Sequence, residues 1–279
     1  MALKDILVHV DDGRACAARL DAAMALAAAH GAHLTGLYVL HHPVLPNYIQ
    51  TQIPESVLEA QMQHVEAAAA AARQTFEAKA RLAGINAAWR SEAGGTVAIL
   101  ALHGRYADIV VAGQRDAAGS EGSFDPAMPE QLILSVGRPV LVLPSAGAFR
   151  AIGERILVAW DASRLATRAV NDALPLLAKA RQVVVMAINP KTGEDEAHGE
   201  IPSADICLHL ARHGIRAEAQ HYHADDISAG DLLLSRAVDE GIDLIVCGAY
   251  GHARWREIVL GSVTRHLLAH MTVPVLMSH

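Results

Sequence analysis

The sequence is poor in aromatic residues and has no long apolar segment. Phe, Trp and Tyr together make up 4% of its 279 residues, whereas hydrophobic residues make up 52%. A core of Ala, Val, Leu and Ile is typical of helices packed on buried parallel strands, so the composition favours an α/β protein. No apolar run reaches the roughly 18 residues that span a bilayer, and no apolar stretch follows a basic segment at the beginning of the chain. We therefore expect a soluble, cytoplasmic protein with no membrane partner.

Cysteine and positive charge are also scarce. The three cysteines, Cys16, Cys207 and Cys247, are scattered and show none of the spacings of metal ligands, which indicates reduced thiols in the cytosol. Cys247 lies within an apolar run and is predicted to be a core residue. The formal net charge of −7 and the pI near 6.1 argue against a large basic surface, and therefore against nucleic acid as a partner.

Strand-like segments rich in β-branched and aliphatic residues alternate with Ala-rich helical stretches. This alternation predicts βαβ units and a parallel sheet. The stronger segments are residues 5–11, 33–40, 107–113 and 138–144 in the first half, and residues 155–161, 182–189, 242–248 and 273–277 in the second. Two weaker strands, NAAWRSEAG and RAEAQHYH, complete five βα units in each half.

The two halves repeat the same order of features. Asp161 follows Asp11 by 150 residues, and Gly248 follows Gly113 by 135 residues. A proline opens the last strand 26 residues after the glycine in both halves. This regularity indicates an internal duplication.

The duplication predicts two domains, residues 1–147 and residues 152–279, with a linker within SAGAFRAIGE (residues 145–154). The offset between the halves changes because the first half carries an insertion, which we place in the Ala-, Glu- and Gln-rich helix of residues 55–84. The matching helix, within residues 203–215, is short. Each domain is expected to be an open five-stranded, mostly parallel sheet with helices on both faces.

A glycine-rich segment follows the strand at residues 242–248. The segment GAYGHARWREIVLGSV combines Gly248, Gly251, Gly261 and Ser262 in a Gly-x2-Gly-x9-Gly-Ser pattern. Glycine at the carboxyl end of a parallel strand permits a positive φ and lets a phosphate approach the main-chain N–H groups. Ser262 opens a predicted helix, where it could cap the free N–H groups or contact a phosphate. The pattern predicts an anion-binding cradle, with ordinary turn and cap chemistry as the alternative.

Residues 156–174, ILVAWDASRLATRAVNDAL, and residues 248–277 together resemble the universal stress protein family in its tandem form. The resemblance covers nearly the whole chain. It implies two Rossmann-like domains of the adenine nucleotide α-hydrolase-like kind. It also implies binding of ATP, or of ADP or AMP, with Mg²⁺ when a triphosphate is held.

The resemblance also assigns roles to individual residues of the second half. Asp161, at the end of the first strand, and the main chain around Ile188 would hold the adenosine. Arg254 could add a charge-assisted contact to phosphate, or it could be solvated or paired at a domain interface. Val263 stands where the family often has a second hydroxyl residue, so one phosphate contact is expected to be missing. The phosphates themselves would be held by Gly248, Gly251, Gly261 and Ser262.

The first half has lost this cradle. With the offset of 135 residues, Asp116, Pro126 and Ala127 replace the last two glycines and the serine of the pattern. Asp116 would repel phosphate, Pro126 removes a main-chain donor, and Ala127 lacks a hydroxyl. We therefore predict one nucleotide site per chain, in the second half, and a structural or separate binding role for the first.

Other clusters are weaker. His221 and His223 in HYHADD would point the same way from a strand, so zinc is one interpretation, and solvated histidines on a strand edge are the more common one. No serine lies in a Gly-x-Ser-x-Gly elbow, and no carboxylate pair suggests acid–base chemistry. We assign no catalytic residue and no metal ligand.

The leading hypothesis is a nucleotide-dependent sensor or regulator of the stress response. Two alternatives remain open: a weak ATPase, for which the sequence offers no base, and a nucleotide-free scaffold or binder of another small molecule through the first half. The family resemblance further implies that the last strands of the two halves pair, which would make an intrachain pseudo-dimer. A homodimer of whole chains is also left open.

Overall fold

The structure is a computed structural model that describes residues 2–40, 54–115, 128–149, 151–189, 203–224, 226–249 and 262–279. In the first half the strands are β1 (Asp5–Val10), β2 (His33–Leu40), β3 (Ala87–Ala93), β4 (Ile109–Gly113) and β5 (Val140–Leu143). The helices of this half are α1 (Cys16–His30), α2 (Glu55–Ala83), α3 (Thr96–Gly104) and α4 (Met128–Val136).

The second half repeats the alternation of strands and helices. Its strands are β6 (Arg155–Ala159), β7 (Gln182–Ile188), β8 (Glu218–Tyr222), β9 (Leu244–Gly248) and β10 (Val275–Ser278). Its helices are α5 (Arg164–Leu177), α6 (Ala204–Arg212), α7 (Ala229–Asp239) and α8 (Ser262–His270). The predicted α/β fold with a mostly parallel sheet is confirmed.

All these strands form one ten-stranded sheet in the order β3-β2-β1-β4-β5-β10-β9-β6-β7-β8. Neighbouring strands within each half are parallel. The two halves meet where β5 and β10 pair antiparallel, with Leu141 opposite Leu276. The edges that β5 and β10 would otherwise expose are therefore covered by each other.

Helices cover both faces of the sheet because its central strands are apolar on both sides. Side chains alternate along β6, so that Ile156 and Val158 join one buried cluster and Leu157 joins the other. All three side chains are at most 1% exposed. Burial on both faces explains why these strands appear in the sequence as continuous apolar runs.

The predicted insertion lies in the second helix of the first half. Helix α2 has 29 residues and ends at Gly84, whose φ of 65° closes the helix in the left-handed region. The matching helix α6 has nine residues. Within the described part of the chain, no helix combines the length and the apolar character needed to cross a membrane.

Polar contacts also join the halves. Gln114, which follows β4, donates from Nε2 to the main-chain oxygens of Leu268 (2.9 Å) and Ala269 (3.1 Å) in the last turn of α8. Its Oε1 accepts from the main-chain N–H of Ser145 at 2.9 Å. Because α8 otherwise ends with unpaired carbonyl oxygens, the first half of the chain caps a helix of the second half.

Candidate functional site

A cleft of about 250 Å³ opens at the carboxyl ends of β6, β7 and β9 in the second half. This is the edge where ligands bind in open parallel sheets. The ends of α5, α7 and α8 face the same space. The described residues that line the cleft are mostly apolar: Ala159, Trp160, Asp161, Ser163, Leu165, Ala166, Met186, Ile188, Ala229, Leu233, Cys247, Gly248, Val263 and Thr264.

Asp161 supplies the carboxylate of the cleft. It lies two residues beyond β6 in a tight turn, where its Oδ1 accepts from the N–H of Ser163 at 3.0 Å. Ser163 in turn caps α5, because its Oγ accepts from the N–H of Ala166 at 3.1 Å. Between them, Ala162 has a φ of 59°, a left-handed conformation that is uncommon for a residue with a Cβ. The turn leaves the exposed carboxylate of Asp161 at the mouth of the cleft.

Gly248 ends β9 and lets the start of α5 pack against that strand. A Cβ at this position would lie 2.6 Å from the carbonyl carbon of Leu165 and 2.7 Å from the nitrogen of Ala166. The sequence left a positive φ at Gly248 open, and the structure places its φ outside the left-handed region. Close approach of two backbones, rather than an unusual backbone conformation, is therefore what requires a glycine here.

The floor of the cleft is apolar. Cys247, predicted as a core residue, is buried, and burial, with a smaller contribution from the negative charge of Asp161, raises the pKa of its thiol to about 12. The thiol is therefore neutral at physiological pH. Met186 and Ile188 lie two residues apart on β7 and so share a face of the sheet, and both line the cleft.

The end of β7 is held by Asn189, the residue that follows this strand. Asn189, with a φ of 47°, accepts from the N–H of Ala224 at 2.8 Å and donates from Nδ2 to the Ala224 oxygen at 2.9 Å. These two bonds fix the main chain directly after Ile188. The N–H of Asn189 itself donates to the main-chain oxygen of Tyr222 at 2.8 Å, so three hydrogen bonds hold this end of β7.

Helix α8 begins at Ser262, as the sequence predicted, and its first turn faces the cleft. Val263 is half-buried there, and Thr264, one residue further on, is 4% exposed and lines the same space. Sequence reasoning did not assign Thr264 to the cleft. The side chain of Ser262 is outside what the structure describes.

The structure therefore brings together four of the predicted residues. Asp161, Ile188, Gly248 and Val263 all line the cleft. The remaining predicted positions Gly251, Arg254 and Gly261 lie outside the described residues. So do Asp116, Pro126 and Ala127 of the first half.

Sequence reasoning missed several residues of the cleft. Trp160 could have been noticed because it directly precedes Asp161, and Met186 because it lies two residues before Ile188 on a strand. Ala229 and Leu233 come from α7, whose packing beside the cleft has no signal in the local sequence.

The corresponding place in the first half is arranged differently. Asp11 makes the same side-chain hydrogen bond as Asp161, with its Oδ1 accepting from the N–H of Gly13 at 2.9 Å. Its Oδ2, however, lies 2.7 Å from Nη2 of Arg19, whose side chain is 4% exposed. The offset of 150 residues also matches the buried positions of α1 with those of α5: Leu20 with Val170, Ala23 with Ala173, and Leu26 with Leu176.

The HYHADD segment shows exposed histidines. His221 lies on β8, an edge strand of the sheet, and His223 follows it. The described residues contain no group of three or more His, Cys, Asp or Glu side chains placed to hold a metal ion.

The fold and the cleft define a doubled Rossmann-like α/β protein. The model of the universal stress protein family matches residues 2–144 and again residues 153–279. The chain belongs to that family, in the tandem form that the sequence resemblance predicted.

Individual relatives are distant. A universal stress protein of Synechocystis is 28% identical over 176 residues, which are 61% of this chain and 57% of that protein. A universal stress protein of Archaeoglobus fulgidus matches in structure with a TM-score of 0.73 at 17% identity, over 98% of this chain and 97% of its own. A functionally unknown protein of Pseudomonas aeruginosa matches with a TM-score of 0.64 at 14% identity, over 99% of this chain and 92% of its own. The two structural matches establish the shared fold.

Proposed function

We propose that the chain binds an adenine nucleotide, in the first place ATP, in the cleft of its second half, and acts as a nucleotide-dependent sensor or regulator in the stress response. The observation that carries this proposal is the meeting of the Asp161 carboxylate, an apolar floor and the first turn of α8 in one cleft. Membership of the universal stress protein family supports the stress-response role.

The chemistry of the cleft suits the parts of a nucleotide. The apolar side chains of Met186 and Ile188 can pack on a purine, and the carboxylate of Asp161 can accept hydrogen bonds from ribose hydroxyls. The free N–H groups at the start of α8 suit a phosphate. A cleft of about 250 Å³ is slightly smaller than the roughly 300–1,000 Å³ of most small-molecule sites, so it suits the nucleoside part.

For the phosphates we propose the main chain at Gly248, Gly251 and Gly261, the hydroxyl of Ser262 and the guanidinium of Arg254. Mg²⁺ prefers oxygen ligands, and the residues of the cleft fit it modestly, through the Asp161 carboxylate and the phosphates themselves. Bound Mg²⁺ would neutralise phosphate charge. The roles proposed for these residues are in binding the nucleotide, and none of them includes its hydrolysis.

The strand pairing between the halves and the state of the cysteines support the proposed architecture and location. The antiparallel pairing of β5 with β10 supports an intrachain pseudo-dimer of domains 1–147 and 152–279. The described cysteines are free thiols, which supports a reducing, cytoplasmic location. We leave a homodimer of whole chains as a further proposal, to be tested by the molar mass in solution.

The experiment is a calorimetric titration of the nucleotide-free chain with ATP and Mg²⁺. We expect one site per chain. In Asp161→Asn the amide oxygen still accepts from Ser163, so the turn remains while the charge is lost. Since hydrogen bonds to charged groups contribute about 1.5–3 kcal/mol, affinity should fall roughly 10- to 100-fold.

Two further variants separate the possible outcomes. Asp226→Asn, which removes an exposed carboxylate elsewhere in the second half, should bind as the natural chain does. Gly261→Asp, which puts a carboxylate in the proposed cradle, should abolish binding. Absence of ATP binding by the natural chain would overturn the proposal, and steady phosphate release that is lost in Ser262→Ala would favour an ATPase instead.

A further inference from the structure

The cleft end of the first half holds an arginine side chain. Arg19 lies in the first turn of α1 and extends beneath the end of β1, where its Nε donates to the main-chain oxygen of His9 at 2.8 Å. Its Nη2 lies 2.7 Å from Oδ2 of Asp11. Its Nη1 lies against Gly113, so closely that a Cβ at that glycine would overlap it. The guanidinium thus fills the space between the ends of β1 and β4.

The same space in the second half contains no such side chain. Ala169 stands 150 residues after Arg19 and is fully buried. Asp161 corresponds to Asp11, but the glycines differ in their neighbours, since the main chain of Leu165 and Ala166 approaches Gly248 where the Arg19 guanidinium approaches Gly113. The space beside the strand-ending glycine therefore holds a guanidinium in the first half and the start of α5 in the second.

The Asp11 carboxylate is the charged partner of Arg19. Burial opposes the charge of Asp11, but the guanidinium, His9 and the N–H of Gly13 together keep the pKa of this carboxyl below its usual range. A buried guanidinium without its carboxylate would be costly, which ties the two groups to each other. The Asp11 carboxylate is thereby committed to an internal partner, whereas that of Asp161 faces the cleft.

We propose that Arg19 is a built-in occupant of the first half's cleft, where it closes the half to nucleotide, and that its removal leaves a site for a small guanidinium cation between Asp11 and Gly113. The closure of the first half rests in part on the proposed function of the second. The cation site does not.

The first test is chemical rescue of Arg19→Ala. We expect its thermal midpoint to fall by roughly 10 °C, because a buried pair is broken. Methylguanidinium chloride at millimolar concentration should raise the midpoint of this variant by mass action and leave the natural chain unchanged. Tetramethylammonium chloride, a cation without N–H donors, should not. Arg216→Ala, at an exposed position, should show neither the loss nor the rescue.

A double-mutant cycle covers the case in which Arg19→Ala does not fold. Asp11→Asn keeps the bond to Gly13 and removes the charge, and Arg19→Met fills the space without charge. Each single variant should lower the midpoint, and the double variant should be less destabilised than the two effects added. Strict additivity, or a folded Arg19→Ala that methylguanidinium does not stabilise, would overturn the proposal.

The reverse change tests closure directly. Ala169→Arg places an arginine at the position that corresponds to Arg19, and we expect a chain that folds and has lost at least 100-fold in ATP affinity. Unchanged ATP binding by this variant would refute closure by a single side chain. If the natural chain itself bound no ATP, the proposed function would fail, while the rescue experiment would still decide whether Arg19 occupies a cation site.

Discussion

The turn that carries Asp161 stores backbone strain at one residue. Ala162 has a φ of 59°, and a Cβ in the left-handed region costs roughly 1–2 kcal/mol. The residue that corresponds to it in the first half is Asp12, which is not among the residues with positive φ. Strain in this turn beside the open cleft matches the general tendency of functional sites to hold unusual backbone conformations.

We expect Ala162→Gly to stabilise the chain. Glycine removes the steric cost, and part of the gain is lost to the greater flexibility of the unfolded chain, so a net gain of about 0.5–1 kcal/mol is expected. Urea denaturation measures it. Ala70→Gly, in the exposed middle of α2, should instead cost about 1 kcal/mol, and a similar loss at Ala162 would contradict the assignment of strain.

Single residues differ in how far the sequence could predict them. Asp161 and Gly248 could be placed at the cleft because each follows an apolar strand and strand ends of a parallel sheet meet at one edge. The role of Arg19 could not, because the sequence places it on a helix without showing which way its long side chain extends. The positive φ of Ala162 could not be predicted either, because an alanine in a sequence gives no sign of that conformation.

Helix α8 connects the two halves through its ends. Its first turn faces the cleft of the second half, and its last carbonyl oxygens accept from Gln114 of the first half. Three hydrogen bonds depend on the Gln114 amide when that from Ser145 is included. The position of α8 is thus set by both halves.

We expect Gln114→Ala to loosen α8. Loss of these bonds should destabilise the chain by about 1–2 kcal/mol and speed amide hydrogen exchange in α8. Denaturation and exchange measured by mass spectrometry would detect both effects. The control is Gln74→Ala, at an exposed site on α2. Equal rates of amide hydrogen exchange in α8 for Gln114→Ala and Gln74→Ala would argue against a capping role of Gln114.

The elements themselves were largely predictable, with errors of a residue or two at their boundaries. The apolar run predicted a strand over residues 242–248, yet β9 begins at Leu244. Ile242 is buried, but its N–H donates to the oxygen of Ala237 at 2.8 Å and so closes the end of α7. An apolar residue that ends a helix and one that begins a strand look the same in a sequence.

The stability of the whole molecule should depend on pH through a histidine near the contact of the two halves. His30 accepts from the N–H of Leu3 at 3.4 Å, and Lys179 of the second half bonds the neighbouring oxygen of Ala29. Burial, and then the charge of Lys179, lowers the pKa of His30 to about 4. His30 is therefore neutral in the folded chain at pH values where it is charged in the unfolded chain.

We expect acidification from pH 6.5 to pH 4 to destabilise the natural chain, because only the unfolded state takes up the proton of His30 in this range. In His30→Gln this part of the pH dependence of stability should disappear. The urea midpoint of this variant should therefore fall less steeply than that of the natural chain over the same pH interval. His64→Gln, on the exposed side of α2, should follow the natural chain. Identical slopes for the natural chain and His30→Gln would contradict the assignment.

The antiparallel junction of β5 and β10 gives the molecule two opposite rims. Strands run parallel within each half, so reversing direction at the junction turns the carboxyl ends of the two strand sets to opposite sides. The open cleft lies on one rim and the Arg19-filled end on the other, with α8 running between them to Gln114. Under the function proposed above, a partner protein on the rim opposite the cleft would sense nucleotide binding through the position of α8 and would not compete for the ligand.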